Sequence, residues 1–322
     1  MNPSNTHLTS LTNPLITPDQ LTTTSSRLDG IHTSLEASLR LKGAQLTQAA
    51  GILLHLPQPL IAQAIVIFYR FYTGSEGGSF FVNSLTDIST ASLYLTTKPS
   101  SHPIAPRSLL NVYAYLTSPS SPLRTTFPLS PDPSAPPSIA PPDPTTYTLT
   151  EPTYRHSLLT LKKNETLILR TIAFTTSSTP PHHLALTYLQ TLSALPSQPT
   201  STSKTLARRT LEYLNTALLS PQLLYLTHQP NALAVAAIYL AAREVGVALS
   251  REAWWEVFDV DREELGFLAV GLLSCENFIA GEREVWGKRE GGCPLGIEEL
   301  GKYMKEGEHD EDEAHGGRGE RG

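Results

Sequence analysis

The sequence predicts an all-α chain that consists of two tandem five-helix repeats. Apolar residues recur every three or four positions along most of the chain. Alternating strand patterns bounded by hairpin turns are lacking, and two helical segments of the first half recur in order in the second. The chain has 322 residues, 40% of them hydrophobic, which is enough for two domains of about 150 residues.

About ten helices are predicted, and proline or polar residues mark most of their ends. The first begins near Leu35 and is closed by Pro57. The second begins in a first turn that contains Pro59, where proline is tolerated. The others are predicted at 82–97, 107–116, 154–174, 182–195, 203–219, 231–245 and 261–278, with a short segment at Trp254–Phe258 before the last.

The segments 82–97 and 231–245 share the pattern small-x-x-Tyr-Leu-x-x-basic. This pattern aligns Lys98 with Arg243 at an offset of 145 residues. The helix before each segment aligns at the same offset. Two matches in register indicate an internal duplication.

A third match, of Glu165 with Glu264, has an offset of only 99 residues. An insertion present only in the first copy accounts for the difference of 46 residues. Ten prolines fall between Pro119 and Pro144, a density that no helix tolerates. We therefore expect a first repeat at 28–175 that contains a proline-rich insertion at 118–150, and a second repeat at 180–280.

Both ends of the chain are expected to be disordered. Residues 1–27 are predicted to form a disordered leader, because the first 26 residues hold eleven Ser or Thr and no Lys or Arg. Residues 281–322 form a glycine-rich tail with twelve acidic and seven basic residues. That tail carries −5 of the net charge of −6 and is expected to be largely disordered.

Composition argues against several classes of protein. Only two cysteines are present, Cys275 and Cys293, too few for a disulfide framework, so a reducing intracellular compartment is expected. The negative net charge argues against direct nucleic-acid binding. The longest apolar run, Ala232–Ala242, has eleven residues, short of the ~20 that cross a bilayer, so no membrane partner is expected.

No enzyme chemistry is indicated either. Neither a phosphate-binding glycine loop nor a serine nucleophile elbow is found in the sequence. Histidines with zinc-like spacing are also lacking, and the candidates are interpreted as helix caps or core residues: His55, His182, His183 and His228. We therefore expect no cofactor, no metal and no catalytic residues.

The series of segments resembles the cyclin box, and is most similar to the cyclin L group associated with transcription and pre-mRNA splicing. The resemblance runs from about Leu28 to Phe278 and breaks only at the insertion. The segments that carry it are Leu28–Gly30, Gly43–Leu54 with Leu56–Gln58, Phe68–Tyr72, Ala105–Arg107 with Asn111 and Val112, Ile238–Arg243 and Trp254–Phe258.

This resemblance implies a regulatory subunit that binds and activates a cyclin-dependent kinase. The partner would be a PITSLRE-like or other transcriptional kinase, and the location would be the nucleus. Cyclins of this type hold the kinase with a lysine at the end of the third helix and a glutamate in the fifth. Lys98 and Glu165 occupy these two places, although Pro99, Ser100 and Ser101 replace the usual acidic residues after the lysine. The acidic tail also differs from the Arg/Ser tails of the animal members.

Four residues that precede a proline are candidate phosphorylation sites for such a kinase: Thr17, Ser118, Ser121 and Ser130. Chance adjacency of serine and proline in a low-complexity segment explains them equally well.

Two other functions stay open. The core of general transcription factor IIB also has two cyclin-like repeats and binds DNA, but it carries an N-terminal zinc ribbon, and no cysteine precedes Cys275 here. The third alternative is a scaffold that keeps the cyclin fold without activating a kinase. In that case the charges of Lys98 and Glu165 complement the helix dipole or lie on a solvated face.

Overall fold

The structure is a computed structural model, and it describes residues 12–118, 121, 147–192, 194, 200–249, 252–288 and 292–305. These residues form helices, turns and extended connections, with no strand among them, which confirms the all-α prediction. The helices are α1 (Pro18–Thr22), α2 (Ser25–Leu28), α3 (Thr33–Leu53), α4 (Gln58–Phe71), α5 (Leu85–Thr97), α6 (Pro106–Thr117), α7 (Glu151–Thr171), α8 (Pro181–Thr191), α9 (Ser201–Ala217), α10 (Leu224–Thr227), α11 (Pro230–Val245), the 3-10 helix Trp254–Phe258, α12 (Arg262–Gly287) and α13 (297–305).

Helices α3 to α7 form the first repeat around a central α5. Helix α5 packs against α3, α4, α6 and α7. The hydroxyls of Thr47, Ser89 and Tyr113 lie 2.7 Å apart in succession and join α3, α5 and α6 inside the core. This chain of hydrogen bonds satisfies polar groups that would otherwise be costly to bury.

The second repeat, formed by α8, α9, α11, the 3-10 helix and α12, has α11 at its centre. Helix α11 contacts the other four elements, and its alanines from Ala232 to Ala242 are almost fully buried. Helices α5 and α11 are thus the central helices of their repeats, as their shared sequence pattern predicts. The boundaries 28–175 and 180–280 stay predictions.

Many prolines begin helices rather than avoid them. Helices α1, α4, α6, α7, α8 and α11 each have a proline in the first turn. A proline there removes no helical hydrogen bond, because the first N–H groups have no partner within the helix. Part of the proline excess therefore determines where helices begin.

Hydrogen bonds join the two repeats between both ends of α4 and the C-terminal end of α9. The hydroxyl of Tyr69 donates to the carbonyl of Leu218 at 2.8 Å. Gln58 Nε2 donates to Asn215 Oδ1 at 2.9 Å, and His182 Nε2 lies 2.9 Å from the same oxygen. Asn215 therefore connects α4 of the first repeat with α8 and α9 of the second.

The prediction of a disordered leader is wrong for residues 12–27. Helices α1 and α2 lie there, and the backbone N–H of Ile16 donates to the carbonyl of Leu226 at 3.0 Å. Asn13 exchanges hydrogen bonds with Gln229 and Thr179. Contacts with the second repeat therefore order a segment whose composition alone favours disorder.

A buried carboxylate holds α2 against α3. Glu36 is 0% exposed, and it accepts hydrogen bonds from Thr24 at 2.6 Å, Arg27 at 2.7 Å and Arg40 at 2.9 Å. Burial lowers the pKa of Arg40, and the nearby charge of Glu36 opposes this effect. The positive charges of Arg27 and Arg40 together compensate the free-energy cost of burying the Glu36 carboxylate.

The predicted disorder of the tail is also wrong for residues 281–288 and 292–305. Helix α12 extends to Gly287, well past the predicted end at Phe278. Beyond it, Cys293, Leu295 and Leu300 are buried. The hydroxyl of Thr86 donates to the carbonyl of Leu295 at 3.3 Å, so this segment returns to the first repeat. The acidic run at 306–313 lies outside the described residues.

Among the described helices, α12 is long and apolar enough to cross a membrane by length and composition. Core helices of proteins without a membrane span meet the same criterion. One face of α12, with Leu265, Leu268, Leu272 and Cys275, is buried, and the helix packs on α9 and α11. The expectation of no membrane partner stays a prediction.

Candidate functional site

Helices α5 and α7 lie side by side and bring together the two residues that the sequence singles out. Lys98 is the residue that closes α5, and Glu165 lies in the second half of α7. Leu161 and Ile168, on either side of Glu165 along α7, are buried in the core. This packing fixes the position of Glu165 relative to the C-terminal end of α5.

Lys98 and Glu165 form an ion pair between Nζ and Oε1. The Lys98 side chain is 45% exposed and that of Glu165 is 14% exposed. The Lys98 ammonium also lies 4.6 Å from the centre of the Tyr94 ring, a cation–π distance. Two contacts therefore orient the lysine, while its exposed part is accessible to a partner.

The second repeat has the cation, Arg243, and the aligned acid, Glu264, but among the described residues the two form no ion pair. Arg243 closes the equivalent stretch of α11, and its guanidinium lies 5.7 Å from the centre of the Tyr239 ring. Within the described residues, Arg243 makes no ion pair, whereas its neighbour Glu244 pairs with Arg209. Among the described residues, the ion pair between these two aligned positions therefore occurs in the first repeat and not in the second.

The turn after Lys98 is held without acidic side chains. Ser100 Oγ donates to the carbonyl of Thr97 at 2.8 Å and accepts from the N–H of His102 at 3.0 Å. In the described chain Glu165 is the acidic partner of Lys98. The replacement of acidic residues by Pro99, Ser100 and Ser101 therefore leaves the lysine with a single anionic neighbour.

The outer face of α7 next to the pair is basic. Lys162, Lys163 and Arg170 are exposed there, and none of them makes an ion pair within the described part of the chain. Leu159, one turn earlier, is 68% exposed. Glu165 thus lies at the edge of a positively charged face that includes one large apolar side chain, an arrangement suited to contact with another protein.

Tyr94 is a site residue that sequence reasoning missed. Its spacing of four residues before Lys98 places the ring and the cation on one helix face. The same spacing of Tyr239 and Arg243 in the second copy repeats the signal.

Three of the four candidate phosphorylation sites lie in the described part of the chain. Ser118 is 8% exposed and Ser121 is 0% exposed, so neither is accessible to a kinase in this conformation. Thr17 caps α1 by accepting from the N–H of Gln20 at 3.2 Å. Ser130 lies outside the described residues. Phosphorylation of the four residues stays a prediction.

No group of three or more metal-ligating side chains occurs in the described ranges. His182 hydrogen-bonds to Asn215 at 2.9 Å, and His228 stacks on Phe267 with ring centres 5.3 Å apart. These contacts agree with packing and hydrogen-bonding roles for the two histidines.

Comparison with curated proteins finds relatives named as cyclins. Cyclin-L1 of Homo sapiens is 29% identical over 260 residues, which are 80% of this chain and 44% of that protein. Cyclin-L2 of Homo sapiens is 30% identical over 267 residues, 83% of this chain and 45% of that protein. The chain thus spans less than half the length of these relatives. No family model matches the chain.

Among solved structures, the crystal structure of the yeast RNA Pol II CTD kinase CTDK-1 complex contains a similar chain. The TM-score is 0.61 with 11% sequence identity, over 92% of this chain and 84% of that one. At this identity the likeness concerns the fold alone. The two human relatives confirm the resemblance to the cyclin family and its L group, and the solved structure agrees with the all-helical fold.

Proposed function

We propose that the chain is a cyclin-type regulatory subunit that binds and activates a cyclin-dependent Ser/Thr kinase. The relatives named cyclin-L1 and cyclin-L2 support this role. The observation that carries the proposal is the partly exposed pair of Lys98 and Glu165. These are the two positions that the cyclin resemblance assigns to kinase contact.

Kinase activation requires little from such a subunit except a rigid surface. A protein kinase is competent when its strand lysine pairs with the glutamate of its movable αC helix. A partner that binds αC in that arrangement shifts the population toward the active state. Lys98 and Glu165 offer one cation and one anion at positions fixed by the packing of α5 against α7.

The free pair also suggests how docking proceeds. Only 14% of the Glu165 side chain is exposed before a kinase binds, so little of its hydration remains to be lost on binding. Lys98 is more exposed and can turn toward an acidic group of the kinase. Loss of one partner of a desolvated charge pair typically costs about 2–5 kcal/mol, which makes both residues candidates for dominant contacts.

We place this activity in the nucleus, in RNA polymerase II transcription and pre-mRNA processing. The support is the similarity to the cyclin L group, together with a net charge of −6 that disfavours direct DNA binding. In this proposal the specificity for the polymerase comes from the kinase, and the chain supplies no chemical group to the reaction.

The test is affinity capture of the tagged chain from native nuclear extract, with mass spectrometry of the bound kinase and assay of its activity on a peptide of the polymerase C-terminal repeat. The expected result is a cyclin-dependent kinase whose activity depends on the chain. Capture of no kinase, together with salt-sensitive binding to duplex DNA at nanomolar protein, would favour the factor IIB-like alternative. Capture without activation would favour a scaffold.

A further inference from the structure

A cavity of about 260 Å³ lies between α5, α6 and α7. Its polar lining includes Asp87, His156 and Asn164, and its apolar lining includes Leu110 and Leu161. Asp87 precedes Lys98 by eleven residues, about 16 Å along a helix that rises 1.5 Å per residue. On α5 the cavity therefore lies at the other end from Lys98, whereas on α7 its lining extends to Asn164, next to Glu165.

Among the described residues, the carboxylate of Asp87 has no hydrogen-bond partner and makes no ion pair. Burial raises the pKa of Asp87, and the nearby imidazole of His156 opposes this effect. A partly buried carboxylate is normally paired or hydrogen-bonded, as Glu36 is in this same repeat. Asp87 thus has unused capacity for a cation.

Asn164 is a second polar group without a partner. It is only 9% exposed, it lines the cavity, and its side chain makes no hydrogen bond in the described part of the structure. Buried amides almost always have a hydrogen-bond partner. Its carboxamide oxygen can accept a hydrogen bond from an N–H group that enters the cavity.

The volume limits what can enter. Pockets for drug-sized ligands measure about 300–1,000 Å³, and this cavity is smaller. It can hold one amino-acid side chain or a small molecule of similar size. An anion would be repelled by Asp87, and a purely apolar ligand would leave both polar groups without partners.

We propose that this cavity binds an alkyl cation, an ammonium or guanidinium group on a short apolar stem. Asp87 is the counter-ion, Asn164 accepts a hydrogen bond, and Leu110 and Leu161 contact the stem. The cation can come from a free amine or from a basic side chain of a peptide. The proposal does not depend on the proposed function, because Asp87 makes no contact with Lys98 or Glu165 and its test measures cation binding by the chain without a kinase.

Calorimetric titration of the full chain tests the proposal with three probes. N-acetyl-arginine methylamide represents a basic side chain, putrescine represents a free amine, and the corresponding blocked citrulline is the neutral isostere of the first. We expect one or both cations to bind with a dissociation constant below about 10 mM. The blocked citrulline should bind more weakly by about tenfold or more. The stronger of the two cations identifies the source.

Two variants with the same change in charge complete the test. Asp87→Asn is expected to weaken cation binding by about tenfold or more. The control is Glu264→Gln, which removes another carboxylate whose pKa is raised by burial, but in α12, away from the cavity. Its affinity should equal that of the wild type. Equal affinities for arginine and citrulline, undiminished binding by Asp87→Asn, or no cation binding at about 10 mM would each overturn the proposal.

Discussion

The ammonium group of Lys98 pairs with the carboxylate of Glu165 across 67 residues of sequence. The contact fastens the end of α5 to α7. The equivalent cation of the second repeat, Arg243, also lies over a tyrosine but makes no ion pair within the described residues. The duplicated fold therefore provides an internal control for each experiment on the first repeat.

Exchange of the two charges separates folding from kinase binding. The double variant Lys98→Glu/Glu165→Lys retains an ion pair between α5 and α7, so its thermal midpoint should stay near that of the wild type. Each exchanged charge would face a kinase group of the same sign, and like charges across an interface are strongly unfavourable. We expect kinase affinity to fall by about 30-fold or more, measured by surface plasmon resonance. Unchanged affinity would rule out a charge-specific contact at this site.

Glu36→Gln tests the buried network that orders the N-terminal segment. The change leaves Arg40, which is 4% exposed, without an anionic partner. Breaking a buried pair in this way typically costs about 3–5 kcal/mol, so the urea midpoint should fall markedly. Glu151→Gln is the matched control, because its ion pairs with Arg107 and Arg155 are at the surface. Comparable destabilisation by both variants would show that burial is not the cause.

Gly43→Ala tests the close approach of α3 and α4. A Cβ at Gly43 would lie 2.1 Å from Cζ of Phe68, and overpacking of this kind costs about 1–3 kcal/mol. Gly281→Ala in α12 is the control, because nothing lies within 4 Å of the added atom. It should stabilise the chain by about 0.5–1 kcal/mol through helix propensity. Opposite shifts in chemical denaturation are expected, and equal shifts would contradict the packing argument.

His182 predicts a pH dependence of stability at the junction of the repeats. Burial lowers the pKa of His182 in the folded chain, and its hydrogen bond to Asn215 opposes this effect. The unfolded chain therefore binds the proton first as the pH falls below about 6.5. Stability is full above that pH and decreases below it, with a slope of at most about 1.4 kcal/mol per pH unit from this group. Comparison of wild type and His182→Gln by urea unfolding from pH 7.5 to 5 isolates the slope, and identical slopes would contradict it.

The bodies of the long helices could be predicted from sequence, because apolar spacing reports directly on the buried face. The short helices α1 and α2 could not, because helices of four or five residues are stable only through tertiary contacts, here with Leu226 and Glu36. The return of residues 292–305 to the first repeat was missed for the same reason. Its composition favours disorder, and its burial depends on distant residues.

Some features of the candidate site could likewise be predicted from the sequence, and others could not. The positions of Lys98 and Glu165 followed from the cyclin resemblance, since no local pattern relates residues so far apart. The contact of Lys98 with Tyr94 could have been predicted from their spacing of four. The cavity beside Asp87 could not, because it depends on how three helices pack rather than on any motif.

The activity of the captured kinase, reconstituted with increasing amounts of the chain, tests most directly whether Lys98 and Glu165 form the kinase contact. The wild type, Lys98→Ala/Glu165→Ala and Arg243→Ala are compared after their folding is verified by thermal unfolding. We predict that the double variant requires about 30-fold or more protein for half-maximal activation, the equivalent of about 2 kcal/mol, while Arg243→Ala behaves as wild type. Activation by the double variant at wild-type concentrations would contradict the assignment of this pair as the kinase contact.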